Sequence, residues 1–161
     1  MMNNSRYALV ELPFYGYPNY VEDILYQLQI QGVTPVLAHP ERLEIFQETP
    51  DLLLKFVERG MLSQITAGSI MGYFGSKAKK VTRILLESGL VHIIASDTHY
   101  PEGHRSPLLR DGVNAAARIV GDERALTMVV ETPKAILEDA LVDVEVPRKV
   151  KGARRWWFWS T

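Results

Sequence analysis

An alternation of short β-favouring runs with helical runs of ten or more residues restricts what this chain can fold into. Residues 6–13 (RYALVELP), 34–38 (TPVLA), 61–67 (MLSQITA) and 90–96 (LVHIIAS) read as strands. The last of them is the most hydrophobic. Helical spacing of apolar side chains marks residues 20–31, where Val21, Ile24, Leu25 and Leu28 share a face, and residues 50–59 and 76–88. Gly32, Gly60 and Gly89 stand where each of these helices should stop. Residues 107–120, 122–130 and 133–140 read as further helices. The order is β-α-β-α-β-α-β-α, the signature of parallel βα units, either doubly wound or barrel-like. Four units make only half of a complete eight-fold barrel, which needs about 250 residues. The 161 residues suffice for one domain with a core of its own.

Composition removes several classes of function. There are no cysteines, so a disulfide framework, a thiolate zinc site and a cysteine nucleophile are excluded. The formal charge of −1 argues against a nucleic-acid binder. No apolar run approaches the length of a membrane span, and residues 1–6 lack a signal core. The expectation is a cytoplasmic protein. Five of the 18 basic residues (Arg148, Lys149, Lys151, Arg154 and Arg155) follow the last acid, Glu145. They precede Trp156, Trp157, Phe158 and Trp159. Residues 148–161 therefore read as a tail distinct from a body of residues 1–147. Basic and aromatic side chains together suit weak contact with an anionic membrane surface. A disordered end or an aromatic plug explains the same composition.

Chemistry in parallel βα folds collects at the C-terminal ends of the strands. Here those ends carry Glu11, His39, and the pair Asp97 and His99. Taken singly, Glu11 reads equally well as a solvated strand end, His39 as a loop histidine and Asp97 as a turn cap. Taken together, carboxylates and imidazoles at successive strand ends are the ligand set of a divalent metal. Arg42 follows His39 by three residues and Arg105 follows His99 by six. A guanidinium fork suits phosphate, although either arginine also reads as a surface ion pair. His92 reads as a packed or solvent-facing strand residue, and His104 as an exposed loop residue. The glycine-rich run 68–75 lacks the lysine and spacing of a nucleotide P-loop and reads as a tight turn. There is no G-x-S-x-G motif, which disfavours a serine hydrolase.

Four motifs stand in order: Ala38-His-Pro-Glu-Arg42, Ala67-Gly-Ser-Ile-Met-Gly-Tyr-Phe-Gly75, Gly89-Leu-Val-His-Ile-Ile-Ala-Ser-Asp-Thr-His99 and Arg105-Ser-Pro107. Across residues 6–138 the chain resembles the bacterial capsular-polysaccharide tyrosine phosphatases of the PHP (polymerase and histidinol phosphatase) superfamily. The resemblance implies a distorted (β/α)7 barrel around divalent metals, commonly Mn2+. It implies Glu11, His39, Asp97 and His99 as metal ligands and Arg42 and Arg105 as phosphate contacts. It implies dephosphorylation of phosphotyrosine on a protein substrate, a bacterial tyrosine kinase of capsule or exopolysaccharide assembly. Family members open with an H-x-H strand and an aspartate-rich loop. This chain starts just before the strand of Glu11, so the expectation is a C-terminal portion, a partial barrel lacking its N-terminal units. Two other readings remain at this point. One is a superfamily phosphatase for a small phosphomonoester such as histidinol phosphate. The other is a non-catalytic remnant or binding module. Assembly as a homo-oligomer is compatible with all of them.

Overall fold

The computed structural model describes residues 1–103, 106–107 and 109–148. His104, Arg105 and the tail beyond Arg148 lie outside the described residues, and so do the readings made of them. Within them, four parallel strands form one sheet: β1 (Tyr7–Val10), β2 (Thr34–Ala38), β3 (Leu62–Thr66) and β4 (Ile93–Ala95). They lie in chain order, β1-β2-β3-β4, with Leu9 opposite Val36, Ala38 opposite Gln64 and Thr66 opposite Ala95. A doubly wound sheet reverses its strand order at a switch point. Sequential order without reversal is that of a barrel arc.

The connecting helices are α1 (Val21–Ile30), α2 (Glu44–Glu48), α3 (Asp51–Glu58), α4 (Ala67–Met71) and α5 (Gly75–Glu87). After β4 come α6 (Arg110–Val120), α7 (Asp122–Thr127) and α8 (Glu131–Leu137). Side chains alternate across each strand. Leu37, Ile65 and Ile94 face the helices, where they pack with Leu25, Phe46, Leu53, Phe56, Leu85 and Ala116 in the main core. Tyr7, Val36, Leu62 and Ile93 face the other way, into a smaller cluster with Ile136. That second cluster occupies the lower part of the inner face. Glu11, Ala38, Gln64, Thr66 and Asp97 continue the same alternation upward, so the site residues stand above the inner face. No helix among the described residues is long and apolar enough to cross a membrane.

Two differences from the sequence reading come from contacts between residues distant in sequence. The run 67–71 is a helix, not a tight turn. Gly112 makes room for it: a Cβ there would lie 2.6 Å from the Ala67 Cβ, so only glycine lets α6 close on α4. The glycines Gly72 and Gly75, both with φ of +93°, supply the turn after it. The second difference is β4, which is shorter than the apolar run 90–96. His92 explains this. Its backbone N–H donates to the Ser63 carbonyl at 3.1 Å, as a ladder residue would. Its ring Nδ1 then accepts the Ser63 N–H at 3.0 Å, taking the place of a backbone acceptor.

His92 is buried, and burial pushes its pKa down to about 4, with Arg124 adding to the effect. An unfolded histidine titrates near 6.5. The neutral ring therefore contributes stability that is fully present above about pH 6.5 and is lost as the pH falls towards 4. The expected loss is about 3 kcal/mol by linkage. Urea unfolding at pH 7 and pH 4.5 should show it, and His92→Gln should flatten this part of the profile. An unchanged slope in the variant would assign the pH dependence to other groups. His92 also lines a cleft of about 680 Å³ with Arg124, Thr132 and Arg148. That cleft adjoins the N-terminal end of β4, whereas the site residues cluster at the strands' C-terminal ends.

Candidate active site at the strand ends

Strand β2 ends in Ala38, and the chain then turns sharply. His39 continues the ladder by donating its N–H to the Gln64 carbonyl at 2.7 Å, but it adopts a left-handed backbone, φ 34° and ψ 52°. Pro40 starts a single 3₁₀ turn, Pro40–Arg42, closed by the Arg42 N–H on the His39 carbonyl at 3.0 Å. This kink puts His39 and Arg42 side by side over the sheet. Asp97, two residues past β4, is also left-handed, with φ 53°. Non-glycine residues in this region are uncommon and carry strain, and they concentrate at functional sites.

The side chains meet in two linked pairs. His39 Nε2 lies 3.2 Å from Glu11 Oε1. Arg42 Nη1 donates to Asp97 Oδ2 at 2.6 Å. His99 closes the row, its Nδ1 2.9 Å from the Asp97 carbonyl oxygen and 3.7 Å from Asp97 Oδ1. Burial holds the His39 pKa below the usual imidazole value, and the Arg42 charge lowers it further, against the opposing effects of Glu11 and Asp97. Its ring is neutral at pH 7, and its Nδ1 is buried without a hydrogen-bond partner among the described residues. A neutral imidazole facing a carboxylate is a metal-binding pair in kind. In number it is incomplete: among the described residues no three His, Asp or Glu side chains gather closely enough to hold an ion.

Three features of the site were not foreseen in the sequence. Glu41, next to Arg42, is fully buried beneath the turn. Its Oε1 accepts the Thr66 N–H at 3.0 Å and the Ser69 hydroxyl at 2.6 Å, tying the β2 turn to the start of α4. Burial pushes its carboxyl up to about 7, and the Ser69 and Thr66 hydrogen bonds partly offset this. The second and third features are Phe14 and Phe74. The Arg42 Cζ lies 5.1 Å from the Phe14 ring centroid and 4.3 Å from that of Phe74. Phe14 also stacks on His39, with centroids 5.3 Å apart and planes within 7°. No sequence spacing signals these contacts, because the partners come from separate loops.

Residues 1–138 match the family described as Capsular polysaccharide synthesis, CpsB/CapC. The chain belongs to this family. It is 36% identical over 150 residues to the tyrosine-protein phosphatase YwqE of Bacillus subtilis (strain 168), covering 93% of this chain and 58% of that relative. The putative tyrosine-protein phosphatase CapC of Staphylococcus aureus is 31% identical over 155 residues, 96% of this chain and 60% of the relative. The tyrosine-protein phosphatase CpsB of Streptococcus pneumoniae is 30% identical over 146 residues, 88% and 60% of the two lengths. A solved structure from the crystallographic work on YwqE and CpsB, described as unique metal-dependent tyrosine phosphatases, superposes with a TM-score of 0.85 at 36% identity. It covers 92% of this chain, which spans 60% of that one. This CpsB/CapC chain thus spans somewhat under two thirds of the length of the relatives it matches.

Proposed function

We propose that the chain acts in metal-dependent hydrolysis of phosphotyrosine on a protein, as its CpsB/CapC relatives are named to do. Glu11, His39, Asp97 and His99 are then ligands to divalent metal, with Mn2+ the ion. Arg42 and Arg105 contact the phosphate. The substrate is a cytoplasmic tyrosine kinase of polysaccharide assembly. The observation that carries this reading is the adjacency of a Glu11–His39 donor pair and a restrained guanidinium, Arg42, at the same strand ends.

When bound, the metal supplies Lewis-acid activation of water and compensation of phosphoryl charge. The rest falls to this chain's residues. His39, kept neutral, offers a lone pair in place of a positive charge. Asp97 uses one oxygen to fix Arg42, which leaves the other nitrogens of the fork for phosphoryl oxygens. Those donors stabilise charge on the phosphoryl group as the ester bond breaks.

One observation favours a second reading, binding without catalysis by this chain alone: the described donors do not gather in threes. Metal titration and turnover separate the two. The expected result is Mn2+-stimulated hydrolysis of a phosphotyrosyl peptide, abolished by chelation, with His39→Ala weakening metal binding at least about tenfold. Absence of hydrolysis, with or without bound metal, supports the second reading. Faster turnover of small phosphomonoesters than of the peptide would move the substrate to that class. Hydrolysis of the peptide sinks the second reading, and the absence of turnover of any phosphate ester sinks the first.

A further inference from the structure

We propose that Phe14 and Phe74 form an aryl subsite that selects phosphate esters of aromatic alcohols. The inference rests on the reading of Arg42 as a phosphate contact. Neither ring packs into the two apolar clusters of the described residues, although both are large hydrophobic side chains. Both instead lie against a charged group, Arg42. Phe14 remains 37% exposed, and its backbone is fixed by the Glu44 N–H donating to its carbonyl at 3.0 Å. Exposed tyrosines adjoin site residues in three separate loops: Tyr15 after Phe14, Tyr73 before Phe74 and Tyr100 after His99. The two rings that border the guanidinium itself are those of Phe14 and Phe74.

The chemistry of the ester makes this arrangement selective. A phosphoryl group on the free nitrogens of Arg42 leaves its organic group one oxygen away, next to the rings that border the same guanidinium. A phenyl ring there meets the open part of Phe14 in offset-stacked or edge-to-face contact, while a small alkyl group makes far fewer contacts. The proposed preference is about tenfold, the sum of ring–ring attraction and apolar area removed from water. A ring that served merely to hold Arg42 would affect all phosphate esters equally.

Binding of non-hydrolysable phosphonates tests this without relying on turnover. Titration calorimetry of the whole chain with Mn2+ present compares phenylphosphonate with methylphosphonate. The wild type should bind the phenyl compound about tenfold more tightly. Phe14→Leu should lose most of that ratio by weakening phenylphosphonate far more than methylphosphonate, and Phe74→Leu should behave alike. Phe14→Tyr, which keeps a ring, should retain the preference and so separates loss of the ring from loss of folding. Equal Kd values in the wild type, or equal weakening of both ligands in Phe14→Leu, would overturn the subsite and leave the phosphate reading standing. Failure of both phosphonates to bind overturns the subsite and the phosphate role of Arg42 together. Phenyl-selective binding without hydrolysis of any ester upholds the subsite while removing catalysis.

Discussion

Arg42→Ala should lower kcat/KM for a phosphotyrosyl peptide by about 100- to 1,000-fold, the range seen when one preorganised donor to a developing oxyanion is removed. The size of the effect follows from how the side chain is held. Asp97 fixes one nitrogen at 2.6 Å, and the rings of Phe14 and Phe74 flank the guanidinium. Such a donor does not reorganise when charge develops beside it. Arg42→Lys should rescue little, because an ammonium has neither the planar fork nor the flat face that these neighbours fit. Metal affinity should survive both substitutions, since Arg42 is not a ligand in the proposed arrangement. Steady-state kinetics with a parallel metal titration makes the check. Unaltered kcat and KM in Arg42→Ala would remove the residue from the phosphate site.

The second large effect is on stability. Glu41→Ala should cost about 3 kcal/mol, because it strands two buried donors, the Thr66 N–H and the Ser69 hydroxyl. Each left unpartnered costs about 1–3 kcal/mol. Glu41→Gln should cost less than half as much, since the amide oxygen can still accept from both. Denaturant unfolding would read the difference as a shifted midpoint at constant slope. Equal losses in the two variants would mean that the carboxyl group, and not its acceptor oxygen, holds the turn. The substitution should also disturb the site above, because Glu41 joins the His39–Arg42 turn to the start of α4.

Much of this architecture is visible in the residues themselves. The strand 34–38 is found as expected, and the helices over 20–31, 50–59 and 76–88 shift by one residue at each end. Their apolar spacing and terminal glycines are local signals. The helix at 67–71 escaped because its formation depends on partners distant in sequence. Gly112 leaves space against Ala67, and Glu41 takes the donors at its start. Read locally, its glycine indicates a break. β4 was overextended for a related reason: a histidine ring serves as a ladder acceptor, which hydropathy does not register. At the site, the kinds of residue and their strand-end positions were legible. Their partnerships were not. The Arg42–Asp97 pair spans 55 positions, and the flanking of Arg42 by Phe14 and Phe74 joins three loops that only the sheet order brings together.

The left-handed backbone at His39 and Asp97 acts as a filter on the amino-acid alphabet. Asparagine, aspartate and histidine tolerate this conformation, while β-branched residues are genuine outliers there. The residues that the backbone accepts at these two positions thus overlap with those able to donate to a metal. A drift between histidine and aspartate leaves the backbone conformation accessible and keeps a donor, although at Asp97 it also breaks the ion pair to Arg42. A drift to valine or isoleucine strains the loop as well as silencing it. Selection for folding alone would therefore tend to keep glycine, asparagine, aspartate or histidine at both positions, so that among side-chain-bearing residues the ones retained are polar.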